Sequence, residues 1–516
     1  MRTHLLLMFA SAAALALAAC SEPMTPQART ASRPQYAAAT QAGRSSLELI
    51  EEDIDAGLLD RENGNRYRQY AVSDPSRLPP KYRSRSVGKD ATLSMVRLAL
   101  DWNRLSAATQ QEILDLRANG FANLKDTYQT QHFLLHYTLV GSHAVPVLDA
   151  NGNGVPDFID VAAASLEQVW STEVIRLGYP APIGTPAQRF HIYFQNLSSY
   201  YGYTSPENVV LQAVSPVPLG TATAYIVVEN DFYGFPPNDE DRTGTEPIRS
   251  GALKVTQAHE FMHAIQFAIN VYQSGWLMES HATWAEDAVY DGVNDWHWYV
   301  PGFLATPDYP IFSRYPYGAA FFMHWVTETA GTDAARQIWL AARTATTADA
   351  VRSGAFGGSW EGMKQFAPAE YLLDISDYTT KAVSVIPMPG NRIRATYDSY
   401  PVSVVVPPST KRLANRAPWG LGANFIDFLP PGTAAGTLAL SFDGADGYAW
   451  RVFAVATPAT GGPPVISEIP LGPGAVGSAT ISGFGTRFSK VTLAPTIADR
   501  AGAEVPFSYA ASLSPR

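Results

Sequence analysis

Two runs decide how this chain is read: Thr256-Gln-Ala-His259-Glu260-Phe-Met-His263-Ala-Ile-Gln-Phe267 and, after a short bridge, Trp276-Leu-Met-Glu279-Ser-His281-Ala-Thr-Trp-Ala-Glu286. The first is largely apolar and free of Gly and Pro, which predicts a buried helix from about Gly251. Residues four apart share a helix face, so His259 and His263 present both imidazoles to one cation. Glu260 follows the first of them, where a carboxylate reaches a water on the cation rather than the cation itself. Such a pentad also arises by chance, so its surroundings decide its meaning.

A catalytic zinc site takes three protein ligands and keeps a fourth position for water. Glu279 is the candidate third ligand, because the bridge from Asn270 to Gly275 leaves room for a reversal and a second, antiparallel helix. Glu286 lies two turns further on the same face and is placed to orient a ligand from behind. His281 is the rival, but on a helix it points well away from Glu279. Only one of the two can face the ion, and the spacing favours Glu279.

The chain has 516 residues, 46% hydrophobic and 11% aromatic, ample for two or three domains with packed cores. A net charge of −10, spread along the chain, argues against nucleic acid as a partner. Arg2, the apolar stretch Leu5–Ala19 and Leu17-Ala-Ala-Cys20 read as a lipoprotein signal peptide over residues 1–20, with Cys20 as the lipidated residue. Cys20 is the single cysteine, so no intrachain disulfide forms. A lipid there anchors the protein to a membrane without spanning it, in the bacterial cell envelope as an outer-membrane lipoprotein, or outside the cell.

Residues 21–45 read as a disordered, Ser/Ala/Thr/Pro-rich linker and 46–130 as an N-terminal helical segment. In that segment Leu47, Ile50, Ile54 and Leu58 recur at helical spacing, and a further helical pattern runs from Thr92 to Leu116. It is either a helical lobe packed on the enzyme or an inhibitory pro-segment. Inhibition by a cysteine ligand is excluded, because none is left. Residues 131–384 change character: a strand from His132 to Val140, then strands Phe190–Leu197 and Ala222–Asn230. His132 and His136 are expected to share one strand face as surface residues rather than ligands.

Asp149-Ala-Asn151-Gly-Asn153-Gly154-Val155-Pro-Asp157-Phe-Ile-Asp160 has the oxygen spacing of a calcium loop. Asp149, Asn151, Asn153, Asp157 and Asp160 supply side-chain oxygens and Val155 its carbonyl, while Gly154 permits the tight turn. Asp160 stands where a paired EF-hand has Glu, which suits an isolated structural calcium loop.

With these motifs in place, the chain resembles the gluzincin metallopeptidases, a superfamily that includes thermolysin-like and membrane-alanyl-aminopeptidase-like enzymes. The aminopeptidase-like group carries a Trp-Leu-Asn-Glu-Gly-Phe-Ala stretch whose Glu is the third zinc ligand. The resemblance covers some thirty residues and maps His259, His263 and Glu279 onto the zinc ligands and Glu260 onto the general base. It implies a zincin-like α+β domain that hydrolyses peptide bonds, its last strand before the pentad helix serving as the edge for a peptide substrate. It also points to Tyr315, in Tyr315-Pro-Tyr317-Gly-Ala-Ala320, as an oxyanion donor, with Tyr317 second. Ser280-His281 replaces Gly-Phe, the gap before Glu279 is short, and Val228-Glu229-Asn230 lacks the Gly of an aminopeptidase exopeptidase motif, so an endopeptidase is the expectation. The layout as a whole is similar to that of secreted bacterial metalloprotease-like proteins.

From about Val385 short β runs separated by Gly/Pro turns predict a β-sandwich over 385–516. The whole reading is therefore a secreted, membrane-anchored zinc peptidase with a calcium loop, acting on a peptide or protein. The alternative is a calcium-stabilised surface lipoprotein for binding or adhesion, its HExxH inactive or structural.

Overall fold

A computed structural model describes residues 43–213, 217–376, 392–408, 417–500 and 502–515. The signal peptide with Cys20, nearly all of the predicted linker and the expected domain boundary near residue 385 lie outside these residues. The chain is a mixed α+β protein in which helices flank a five-stranded sheet and lead into a second, strand-rich part.

The N-terminal helices are α1 (Ser46–Asp55), α2 (Arg61–Ser73), α3 (Thr92–Asp101) and α4 (Ala107–Ala122). Their starts are set by side chains that satisfy the free N–H groups of a first turn. Ser45 accepts from the Glu48 amide while the Glu48 carboxylate accepts from the Ser45 amide, a reciprocal cap. Asp60 and Ser106 cap α2 and α4 in one direction, accepting from the Asn63 and Thr109 amides. Strands β1 (Asp126–Gln129), β2 (Phe133–Tyr137), β3 (Phe190–Gln195), β4 (Gly202–Ala213) and β5 (Leu219–Glu229) form one sheet in the order β1-β2-β3-β5-β4. The three central strands are parallel and both edges antiparallel. The edge next to the pentad helix is therefore β4, and not the last strand before that helix. Pro206 and two register shifts mark β4 as an edge strand, where a residue without an N–H is tolerated.

Alternation sorts the side chains of the sheet onto two cores. Phe133, Leu135, Ile192, Phe194, Ile226 and Val228 face α5 (Asp157–Trp170) and α6 (Ser250–Asn270). On the opposite face Tyr203, Tyr225 and Val227 pack against Leu47, Ile50, Val72 and Met95 of the N-terminal helices. The N-terminal segment thus shares a core with the sheet. His132 lies just before β2, stacks on Trp170 and pairs with Glu167 at 2.6 Å, whereas His136 stacks on Tyr193. The two histidines do not share surroundings, because the strand starts one residue after His132.

Helix α6 and α7 (Gly275–Tyr290) form a hairpin, with Ser274 capping the second helix. Further helices follow: α8 (Val300–Leu304), α9 (Ala320–Ala330), α10 (Ala334–Ala342), α11 (Thr347–Phe356) and α12 (Phe366–Leu372). The apolar helix α9 begins at Ala320, after a single 3-10 turn over Tyr317–Ala319, so Tyr315 lies ahead of both.

The C-terminal strands are β6 (Ala395–Tyr397), β7 (Val402–Val406), β8 (Ile426–Phe428), β9 (Gly436–Gly444), β10 (Trp450–Pro458), β11 (Val465–Glu468), β12 (Val476–Phe484), β13 (Phe488–Ile497) and β14 (Phe507–Pro515). They pair as one group, β11-β10-β13-β8-β6, and another, β12-β9-β14-β7, and the Phe484–Phe488 pair joins the two. Side chains of both groups, among them Trp450, Val452, Leu493, Leu440, Phe442 and Phe507, fill one core.

This part is welded to the helices. Trp419 and Ala423 donate backbone hydrogen bonds to the Asp308 and Pro307 carbonyls at 2.9 and 2.8 Å. Beside them Arg314 and Glu370 form a 2.6 Å ion pair whose side chains are 1% and 2% exposed. Burial pulls Arg314 down and pushes Glu370 up from their usual values even though each partner favours the other's charge. Glu370→Ala leaves a buried, unpaired guanidinium and is expected to cost about 3–5 kcal/mol of stability. Urea unfolding measures this, and a loss below about 1 kcal/mol would mean that water reaches the pair.

Candidate metal centre

Helix α6 is buried along nearly its whole length, so each polar side chain in it must find a partner inside the protein. His259 Nδ1 meets a carboxylate oxygen of Glu286 at 2.7 Å, and His263 Nδ1 meets the Gln266 side-chain oxygen at 2.8 Å. Both partners accept, so each Nδ1 carries the proton and each Nε2 is left with a lone pair. The two Nε2 atoms face one another at 3.1 Å. Glu279 Oε2 stands 3.2 Å from one and 3.5 Å from the other. Asp90 Oδ2 is 3.0 Å from His259 Nε2. Four potential ligand atoms thus converge, all within 4.8 Å of one another and all buried. In neutral tautomers that is a repulsive arrangement unless a cation sits among the four atoms. Around a zinc-sized ion with bonds of about 2.0–2.1 Å, tetrahedral corners lie about 3.3 Å apart, which the 3.1, 3.2 and 3.5 Å separations among His259, His263 and Glu279 fit.

The residues expected from the sequence fall as follows. His259, His263 and Glu279 come together, and Glu286 holds the first imidazole from behind. His281 turns the other way, with its Nε2 2.7 Å from the Tyr179 hydroxyl and its ring against Trp284. Glu260 directs one carboxylate oxygen to the hydroxyls of Thr92 and Thr204, at 2.9 and 2.8 Å, and leaves the other buried without a partner. Gly202 lets β4 come this close: a Cβ there would lie 3.1 Å from the Glu260 side chain. Burial, with the Asp90 charge nearby, pushes Glu260 up to about 7. With no ion at the centre, burial works against a charged His259, yet bonds to Asp90, Glu279 and Glu286 hold it well above the usual imidazole range, so an ion bound there takes the place of a proton.

Tyr317 lies closer to this centre than Tyr315. Its ring is 6.3 Å from that of His259 and it reaches Asp90, while Tyr315 is 37% exposed and packs on the outer side of Tyr317. Glu229 accepts from the Leu197 amide at 2.6 Å, a structural use of the carboxyl, and burial pushes it up to about 8.

The sequence reading missed Asp90, Thr92 and Thr204, together with Lys89. Lys89 is buried and bridges Glu286 at 2.9 Å and Asp295 at 2.6 Å. In sequence Asp90 is indistinguishable from a helix cap, and it does accept from the Thr92 amide at 2.7 Å at the start of α3. Only a three-dimensional count of acceptors singles it out.

In the predicted calcium loop, the Asn151 and Asn153 amides both donate to Asp160 Oδ2, at 2.9 and 2.8 Å, and Asp149 accepts from the Gly152, Asn153 and Gly154 amides. Asp157, at the start of α5, accepts from the Ala150 amide, and the Val155 amide donates to Asn153. The residues of the loop are therefore gathered around Asp149 and Asp160.

No family model matches the chain, and no curated protein matches it. Among solved structures, a family GH115 4-O-methyl-alpha-glucuronidase with specificity for decorated arabinogalactans is similar at 9% identity and TM-score 0.15, over 51% of this chain. The chain spans 38% of that protein's length, an overlap too slight to speak for a shared fold.

A π-helical turn at Ser171–Arg176 buries Glu173 completely, with neither carboxylate oxygen bonded. Burial raises its carboxyl well above the ordinary 4.5. The folded chain then keeps this proton to higher pH than the unfolded chain, so the stability linked to it falls as pH rises from about 4.5. Glu173→Gln removes the titration. Its stability relative to the parent should grow by up to about 1.4 kcal/mol per pH unit across that window. Urea unfolding at pH 5, 6 and 7 tests this, and a constant gap would contradict it.

Proposed function

We propose that this chain is a zinc-dependent peptidase of the gluzincin type, with a zincin-like core, exported to the cell envelope and anchored through Cys20. The observation that carries the reading is the convergence of His259 Nε2, His263 Nε2 and Glu279 Oε2, each within 3.5 Å of the others, beside an acid one residue after the first ligand. Two imidazoles and a carboxylate suit zinc, whereas calcium takes six or more oxygens. When bound, zinc supplies Lewis acidity toward a water and a scissile carbonyl. Glu260 takes the proton from the attacking water and returns it to the leaving amine, with Thr204 fixing its carboxylate. Glu286 sets the ring of His259. Tyr317, rather than Tyr315, is the better-placed donor for a developing oxyanion. The substrate is a peptide or protein, cut internally.

Glu260→Gln is expected to keep one zinc per chain and to lose at least a hundredfold in hydrolysis of casein or a quenched peptide. Metal analysis beside the activity assay checks both halves. Undiminished hydrolysis would rule out the role of Glu260, and purified protein without zinc would favour the alternative, a surface lipoprotein for binding with a structural HExxH.

Calcium in the loop of Asp149, Asn151, Asn153, Val155, Asp157 and Asp160 is a separate proposal, supported by the way the loop gathers around Asp160. Asp149→Ala should lower the melting temperature in calcium but leave it unchanged in EGTA. Equal melting of the parent in both media would exclude a stabilising calcium.

A further inference from the structure

Resting on the zinc-peptidase reading, we propose that Asp90 is a fourth protein ligand to the same ion, and that the strap Gly88–Thr92 thereby keeps the centre closed in the intact chain. Three features meet in these five residues. Asp90 Oδ2 stands where the open position of a catalytic site belongs, 3.0 Å from His259 Nε2 and within 4.8 Å of every other donor. Two residues on, the Thr92 hydroxyl donates to Glu260, so the general base is engaged by the same strap. The backbone of the strap lies along the start of β4, the sheet edge next to the pentad. The Gly88 amide donates to the Ser199 carbonyl at 2.8 Å, the Ala91 amide donates to Gly202 at 3.1 Å, and Gly88 bridges Tyr200 in parallel. A peptide substrate that bound by adding a strand to this edge would need the hydrogen bonds that the strap uses.

Closure is complete at the level of solvent: the His259, Glu279 and Asp90 side chains are 2%, 0% and 2% exposed. It is also firmly held. Lys89 is buried between Glu286 and Asp295 and lies over the rings of Tyr201 and Tyr299. A strap anchored by a buried, doubly paired lysine seldom leaves by thermal fraying, so the intact chain hydrolyses peptide only slowly, through a small open fraction. The N-terminal segment is then an inhibitory device as well as a structural lobe.

The test uses the full-length protein loaded with cobalt(II) in place of zinc, with acetohydroxamate as the probe. Asp90→Asn preserves side-chain volume and a cap for Thr92, and serves if Asp90→Ala folds poorly. Both variants should keep one ion per chain and take up acetohydroxamate at least tenfold more tightly than the parent, read from the shift of the visible cobalt bands. Equal uptake by parent and variants would overturn the proposal. So would loss of the ion from both variants, which would make Asp90 an indispensable structural ligand instead of a plug. Peptide hydrolysis is assayed on the same samples and answers the other question. Opened cobalt spectra without hydrolysis would leave the closure standing and remove the peptidase reading. Full hydrolysis by the parent, abolished by Glu260→Gln, would do the reverse.

Discussion

Four electron-pair donors pointed at one small volume, with their protons turned outward, are the constraint around which this protein is arranged. The orientation is enforced from outside the cluster. Glu286 and Gln266 each take the Nδ1 proton of an imidazole and so commit Nε2 to the interior. Glu286 is in turn held by Lys89, and Lys89 by Asp295. Helix α6 provides the histidine pair, α7 provides Glu279 and Glu286 seven residues apart on one face, and the stretch before α3 provides the lysine and the fourth donor. Moving any of these elements by an ångström would break the mutual spacing, which explains why the hairpin is packed on one side by the sheet and on the other by α9 and α10.

Much of this was legible because it follows from spacing on single helices. The i, i+4 pair, the reversal between the helices and the opposite headings of Glu279 and His281 are properties of a 3.6-residue turn. What was illegible comes from long-range pairing. Strand β4 reads as turn because Tyr-Thr-Ser-Pro206-Glu-Asn208 is rich in turn formers, and only its place at the sheet edge makes Pro206 acceptable. Strands β11 and β12 escaped notice because Val-Ile-Ser-Glu is exposed throughout and Val-Gly-Ser-Ala-Thr-Ile-Ser is mostly small and half-exposed, leaving no apolar alternation to detect. Helix α2 is polar, and its buried face holds Asn65, Arg68 and Gln69, whose partners lie on α1, α3 and α4.

The N-terminal segment shows how one stretch serves two ends. Its apolar side chains complete the core on the outer face of the sheet, which ties the segment to Tyr200, Tyr203 and Tyr225. That packing brings residues 88–92 alongside β4, and the same geometry places Thr92 against Glu260. A lobe that merely stabilised the sheet would have no use for a buried Lys-Asp pair at its inner tip, since each charge taken out of water costs several kcal/mol unless it is met.

The charges around that tip are mostly negative. Asp90, Glu260, Glu279, Glu286 and Asp295 are all buried within the same region, where Lys89 pairs with two of them. A divalent ion lowers the remaining negative surplus, which makes the cluster easier to bury and ties its folding to metal. The strap contributes one positive and one negative group side by side, Lys89 to the outer carboxylates and Asp90 to the inner donors. Its presence therefore changes the local fields without changing the net charge of the centre. On the closure we propose, withdrawing the strap would open a ligand position on the ion and release the hydroxyl of Thr92 from Glu260 in one movement. Neutrality of the Lys89-Asp90 pair is what would let a single segment seal and unseal a highly charged site without leaving an uncompensated charge behind.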